Sequence, residues 1–226
     1  MTVRNAFVGR LRAGIVGGAG AAVLALLMAG CAGGAPATGS GAAQQSAPAD
    51  ASEASVAGGG RDLSEGGSCV DGEDIVITAD SSSAVVDGTC GAVAITGADF
   101  AGNIESAETV EITGANASVL GAEWGEVRVR ADSVTLNVDS VSRFATEAAN
   151  THLTTVRTGD VVVDGDGATV NGEEVERLML NANDATVVLT AITAAFEVHG
   201  DRNTVNWSEG LEAPTVDTGA ENVYTR

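Results

Sequence analysis

The amino-acid sequence predicts an all-β protein, a parallel β-solenoid (β-helix-like) of about eight to nine turns with 17 residues in each turn. Two observations lead to this prediction. The segment VAITGAD at residues 93–99 returns as VEITGAN at residues 110–116, which is 17 positions later. In both segments apolar and polar residues alternate, as they do in a strand that buries one side. These patterns leave the handedness of the coil unassigned.

The repeat can be followed from residue 77 to residue 198. With Ile95 as the reference position, the residue two places earlier is apolar in every repeat, and the residue two places later is always Ala or Gly. We expect the small residue to mark a corner with no room for a side chain. The reference residues are Ile77, Ile95, Ile112, Val129, Thr146, Val163, Leu180 and Val198, and the small residues are Ala79, Gly97, Gly114, Ala131, Ala148, Gly165, Ala182 and Gly200.

Further apolar residues recur seven and twelve positions after the reference, as at Val119 and Trp124. Each turn is therefore predicted to hold two or three short strands, separated by corners and paired in parallel with their copies in the next turn. An antiparallel sandwich is the alternative, but its turns would recur every 8–12 residues or so and would not explain the longer period. Helical repeats are disfavoured because Val, Ile and Thr are abundant.

The first 30 residues differ from the rest of the chain. They have a basic start and an apolar stretch, and they read as a lipoprotein signal peptide because the stretch ends in LLMAGC, with a small pair before Cys31. In such signals the cysteine is acylated, with palmitate among the usual chains. A transmembrane anchor is the alternative, but the stretch is short against the roughly 20 residues that a spanning helix needs. We expect the lipid on Cys31 to anchor the protein to the cell membrane on its extracytoplasmic side.

Two further segments follow the signal. Residues 31–67 are rich in Ala, Gly, Ser and Pro without apolar periodicity, and they predict a disordered tether behind the lipidated cysteine. Residues 68–226 contain the repeats and form the predicted solenoid domain. The chain has 31 Asp and Glu against 11 Lys and Arg, and removal of the three Arg of the signal leaves 8 − 31 = −23. This charge disfavours nucleic acid and anionic membrane surfaces as partners.

The two remaining cysteines, Cys69 and Cys90, lie at the N-terminal end of the repeats. In an exported chain they are expected to form a disulfide that staples the first turn. A redox or metal role would need a CxxC motif or further ligands, which the sequence lacks. At the other end, Trp207 and Tyr224 each follow a G-x-x-N signal, and we expect them to form an aromatic cap.

Several segments together resemble a known family. The lipoprotein signal, GTCGAVAITGAD at Gly88–Asp99, the recurring V-x-[VI]-x-G-x-[ND] turns and GDRNTVNWSEG at Gly200–Gly210 look like the actinobacterial secreted proteins and lipoproteins grouped as domain of unknown function 3060. The resemblance covers roughly residues 69–226, and it departs from the pattern at residues 143–160. It implies an envelope or secreted protein of unassigned activity, and it supplies no catalytic residues.

The function expected from these features is that of a non-catalytic binding, scaffold or structural module of the cell envelope. Envelope polysaccharide or another envelope protein is the expected partner. The alternative is a polysaccharide-active lyase or hydrolase, since parallel β-helices often host such enzymes. No catalytic residue is assigned, because aromatic residues make up only 3% of the chain, Lys is absent and the acidic residues are spread over many columns.

Two weaker site hypotheses concern the corners and one outward column. Asp164 and Asp166, in VDGDGATVNG, are the densest acidic pair and could bind calcium, although no cofactor is expected. The competing interpretation is that corner Asp and Asn residues close turns onto their own backbone. Val162 and Met179 are apolar in an outward column and predict a binding face. His152 and His199 fall in different columns and form no ligand pair.

Overall fold

The computed structural model describes residues 59–70 and 72–226. Within these ranges the protein consists of strands and turns without a helix, and so it offers no helix that could cross a membrane. The predicted signal peptide, the lipidation site Cys31 and most of the predicted tether lie outside the described residues. The solenoid begins earlier than the predicted boundary at residue 68, because Arg61–Asp62 already pairs with the next turn and Leu63 is buried in the core.

In the part of the chain that the structure describes, fourteen strands build one continuous sheet. Seven long strands form its middle, and short strands form the first and last turns. The strands are β1 Arg61–Asp62, β2 Gly67–Ser68, β3 Ile75–Ile77, β4 Ser83–Ile95, β5 Ala101–Ile112, β6 Ser118–Val129, β7 Thr135–Thr146, β8 His152–Val163, β9 Thr169–Leu180, β10 Thr186–Val198, β11 Thr204–Asn206, β12 Glu209–Gly210, β13 Val216–Asp217 and β14 Val223–Thr225.

The described strands pair in parallel, each with its counterpart in the next turn. Val110 pairs with Val127, and Val127 pairs with Phe144, so the register advances by 17 residues per turn. The predicted parallel β-solenoid is therefore confirmed. It has about ten turns rather than eight to nine, because the short terminal strands β1 and β13 add turns that lack the sequence motif.

Each middle turn has three straight segments within one long strand. In β5 these are residues 101–104, 106–107 and 109–112, which we name the first, second and third faces. Pairs of successive outward residues separate the faces, as at Glu105 and Ser106, and there the alternation of buried and exposed side chains breaks. The predicted short strands thus correspond to faces of a bent strand, because pairing between turns continues around two of the three corners.

The inward columns form a continuous apolar core. The reference column, from Ile77 to Val198, is fully buried, and the column two residues earlier is buried as well. Trp124 fills the interior and donates its indole N–H to the carbonyl of Ile104 at 3.0 Å. Thr146, the polar exception in the reference column, has its hydroxyl 2.9 Å from that of Thr151, so the buried polar group is satisfied.

The third corner of each turn carries the Ala/Gly column, and its close packing confirms the predicted lack of room. A Cβ added at Gly165 would overlap the carbonyl of Ala148 in the turn below. Two residues further on, the backbone adopts a left-handed conformation, with φ of 59° at Asn116 and 55° at Asn150. Asn and Asp tolerate this conformation better than most residues, which explains their recurrence at the corner.

Both ends of the solenoid are closed by the devices that the sequence predicts. Cys69 and Cys90 form a disulfide with their Cα atoms 5.2 Å apart, and it joins the first turn to the second-face core of β4. At the other end, the Phe196 ring makes edge contacts with Trp207 and Tyr224, with centroids 5.3 and 5.9 Å away. Burial and a hydrogen bond to Asp217 raise the pKa of the Tyr224 hydroxyl.

Candidate functional site

The candidate binding face lies on the outside of the third face. Val162 and Met179 are direct neighbours in paired strands, and both side chains are half-buried. They form the floor of a shallow depression of about 200 Å³. Its walls are charged or small, namely Arg143, Asp160, Arg177, Ala195 and Glu197.

An ion pair borders this depression. Arg177 donates to both carboxylate oxygens of Asp160, in the neighbouring turn, at 2.6 and 2.8 Å. The hydrogen bonds and the charge of Arg177 lower the pKa of Asp160, and the same contact raises the pKa of Arg177. This bidentate geometry fixes the guanidinium on the surface, where its stacking face stays available to a partner.

A second depression continues the first toward the N-terminus. It has a volume of about 230 Å³, and it shares Arg143 and Val162 with the first one. Arg130 lies there 2.8 Å from Glu111, and Arg128 lies 2.9 Å from Glu126. Of the eight Arg residues that follow the predicted signal, four lie on the third face or at its end, namely Arg128, Arg130, Arg143 and Arg177.

The two carboxylates of the calcium hypothesis lie at the end of the third face and at the corner. Asp164 accepts a hydrogen bond from the side-chain amide of Asn181 at 2.6 Å. Asp166 accepts from the backbone N–H of Asn183 at 2.7 Å and from its side chain at 3.2 Å. Among residues 59–70 and 72–226, no three His, Cys, Asp or Glu side chains converge as metal ligands. Calcium binding there stays a prediction.

The corner Asp and Asn side chains correct one sequence interpretation. The sequence predicts that they close turns onto their own backbone, but those in the column of Asp132 and Asp166 accept from a backbone N–H of the next turn. Asp132 accepts from Ala149, and Asp166 accepts from Asn183, both across 17 residues. The series of hydrogen bonds continues in the next turn, where the side chain of Asn183 accepts from the backbone N–H of Asp201. Stacking brings the backbone N–H of the neighbouring turn within 2.7–2.9 Å of these side-chain oxygens.

The first face is a surface that sequence reasoning missed. Its outward positions hold hydroxyl, amide and aliphatic side chains, with Val85 and Leu120 the most exposed of the aliphatic ones at 56% and 51%. A signal was present, since the motif S/T-x-N or S/T-x-V recurs in several repeats, but the reference column lies on another face. His152 lies here, whereas His199 lies at the end of the third face with Nδ1 3.0 Å from the Thr218 hydroxyl.

The chain matches no protein-family model, and neither a curated protein nor a solved structure is significantly similar to it. The resemblance to the secreted family of unknown function therefore stays a prediction.

Proposed function

We propose that the protein is a membrane-anchored extracytoplasmic lipoprotein whose solenoid is a non-catalytic binding module. The lipid on Cys31 would hold it at the cell membrane, and the third face around Val162 and Met179 would bind another protein of the envelope. The observation that carries this proposal is the concentration of Arg residues around an apolar strip on one face.

The composition of the third face supports a protein partner. Its centre is apolar, with Val162 beside Met179 and Ala145 in the preceding turn. Charged side chains of both signs surround it, since Arg residues and carboxylates lie side by side there. Arg and Met are enriched in protein interfaces relative to the remaining surface, and charged residues gather at the rim. The four Arg residues also offset the negative charge of the carboxylates beside them, in a chain that is strongly acidic as a whole.

A paired substitution on this face tests the binding proposal. The double variant Val162→Glu, Met179→Glu adds two charges to the apolar strip. Wild type is first cross-linked in a membrane extract to capture its envelope protein partner. We expect the double variant to bind that partner with at least tenfold lower affinity than wild type. The matched control Ala122→Glu, Thr190→Glu adds the same charge at the corner between the first and second faces, and it should bind as wild type does. Equal binding by both variants would refute the proposed face.

The address is tested separately. Cys31→Ala should abolish metabolic labelling with a palmitate analogue and move the protein from the membrane fraction to the soluble fraction. An unchanged membrane fraction would instead support the transmembrane alternative.

A polysaccharide-active enzyme is the second candidate function, based on fold analogy alone. Release of reducing ends or unsaturated sugars from envelope polysaccharide would support it over a binding module.

A further inference from the structure

The first face is uncharged over eight successive turns. Its two outward columns contain 16 positions, each exposed or half-buried, and none of them is Asp, Glu, Lys or Arg. This is unusual in a chain with 31 acidic residues. The first column is Ser83, Ala101, Ser118, Thr135, His152, Thr169, Thr186 and Thr204, and the second column is Val85, Asn103, Leu120, Asn137, Thr154, Asn171, Val188 and Asn206.

The polar side chains of this face make no hydrogen bond to the rest of the described protein. Asn103, Asn137 and Asn171 have both ends of their amide free, whereas the corner residues Asn183 and Asn203 use theirs between turns. An amide carries two donors and two acceptor sites, and a hydroxyl carries one donor and two. The first face therefore presents many hydrogen-bond donors and acceptors that have no partner within the described protein.

The two columns have a regular spacing. Turns of a parallel sheet lie about 4.8 Å apart, so eight turns span about 34 Å along the axis, and the columns lie about 7 Å apart. In the second column, an Asn occupies every second turn at residues 103, 137, 171 and 206, and the turns between them carry Val, Leu or Thr. The amides of the second column thus recur every two turns, or about 10 Å.

We propose that the first face binds a single uncharged polysaccharide chain of the extended β-linked type, lying along the solenoid axis. This site is separate from the protein-binding third face, and the proposal does not depend on the lipid. An extended β-linked chain presents the same edge at every second sugar, which suits a column with an amide in every second turn. The aliphatic side chains would pack on the apolar C–H faces of sugar rings, while amides and hydroxyls bond to the sugar hydroxyls.

Charge favours an uncharged occupant. An anionic polymer would be repelled by the acidic molecule as a whole, and a cationic one would find no carboxylate within the two columns. A regular solid such as ice would require the same group in every turn, but Ala101 and His152 interrupt the hydroxyl column. The second column also changes between amide and aliphatic side chains. A hydroxyl-rich, flexible polymer tolerates these interruptions.

Two isosteric substitutions test the proposal. Asn137→Asp and Asn171→Asp add charge to the face with almost no change of shape, and neither side chain supports the fold. The full-length chain, purified in mild detergent, is incubated with microcrystalline cellulose, chitin, amylose and polygalacturonate. We expect wild type to bind cellulose or chitin, to bind coiled amylose at least tenfold more weakly, and to leave polygalacturonate unbound. The double variant should bind at least tenfold more weakly than wild type.

Two control variants separate this site from other effects. Ser142→Asp with Thr193→Asp adds the same charge at the corner between the second and third faces, and it should bind as wild type does. Val162→Glu with Met179→Glu should also bind as wild type, so failure of the third-face proposal leaves this result unaffected. A melting temperature equal to that of wild type confirms that each variant is folded.

Several outcomes would overturn the proposal. Failure of wild type to bind any uncharged polysaccharide would do so, as would an equal loss in the first-face variant and the Ser142, Thr193 control, since bulk charge would then explain the effect. Face-dependent shaping of ice crystals without polysaccharide binding would assign the face to ice. A dimer in analytical ultracentrifugation that Asn137→Asp and Asn171→Asp dissociate would assign it to a second copy.

Discussion

The corner columns and the first face are built from similar residues, yet they differ in what those residues contact. At the corners, Asp166 and Asn183 bond to the turn above them, and the small residues have backbone packed against their Cα. On the first face, Asn137 and Asn171 extend from equally regular columns and contact no polar partner in the described protein. The difference separates residues that join turns from residues that are available to a ligand.

The largest expected effect concerns the backbone packing at a corner. Gly165→Val would place a branched side chain against the carbonyl of Ala148, which cannot move without disturbing the turn below. We expect a loss of more than about 3 kcal/mol of unfolding free energy, at the upper end for overpacking, measured by urea denaturation. Thr169→Val on the first face, four residues later, is the matched control and should change stability by less than about 0.5 kcal/mol. Similar losses of unfolding free energy in the two variants would contradict the difference between the packed corner and the open first face.

The next effect concerns the covalent link between the first turns. Cys69→Ser with Cys90→Ser removes a disulfide that closes a loop with a sequence separation of 21 residues. We expect a loss of about 3 kcal/mol of unfolding free energy, because the unfolded chain gains conformational entropy when the disulfide no longer closes this loop. Reduction of wild type with dithiothreitol should give the same loss. A native melting temperature after complete reduction would show that the terminal turns need no staple.

A smaller effect compares one hydrogen-bonding side chain from each region. Asp166→Ala removes the acceptor of the backbone N–H of Asn183, and we expect a loss of about 0.5–1.5 kcal/mol, because this bond lies at an exposed corner. Asn137→Ala removes an amide of the first face that supports nothing, and it should change the unfolding free energy by less than about 0.5 kcal/mol. Equal losses in the two variants, compared by urea denaturation, would show that first-face amides also stabilise the fold.

The fold was largely predictable because residues at the same position of successive repeats have the same character in the sequence. Ile95 and Ile112 share a place in the repeat, and parallel stacking at a constant register requires this recurrence. The disulfide between Cys69 and Cys90 was predictable for a similar reason, since no other pair was available near the first turn. The terminal turns escaped prediction because Arg61–Asp62 and Val216–Asp217 are strands of two residues that lack the apolar motif.

The candidate sites were less predictable than the fold. The neighbourhood of Val162 and Met179 follows from the register, and the structure places them side by side. The ion pair between Asp160 and Arg177 follows from the same register but depends on side-chain length and direction, which a periodic pattern does not contain. The first face is defined by an absence of charge over many turns, and a motif centred on one reference position does not detect it.

The smallest effect is a pH dependence on the third face, where Asp160 and Arg177 join two turns at the surface. Arg177 lowers the pKa of Asp160 below its ordinary value of 3.8. A carboxyl with a lowered folded-state pKa stabilises the fold above its unfolded-state pKa, and this contribution is lost as the pH falls through the folded-state value. The melting-temperature gap between wild type and Asp160→Asn should therefore be largest near neutral pH and should close in acid below the ordinary carboxyl range.

The size of that gap distinguishes a surface pair from the corner bonds. Arg177 is 61% exposed, so solvent screens the pair, and the gap at neutral pH should be smaller than the one caused by Asp166→Ala. It should also shrink in about 1 M salt, which screens charges within a few ångströms. Thermal melts of both variants across pH 2–7 and two salt concentrations make the comparison. A gap for Asp160→Asn that persists in acid and in salt would mean that its contacts, like those of the corners, hold the turns together through geometry rather than charge.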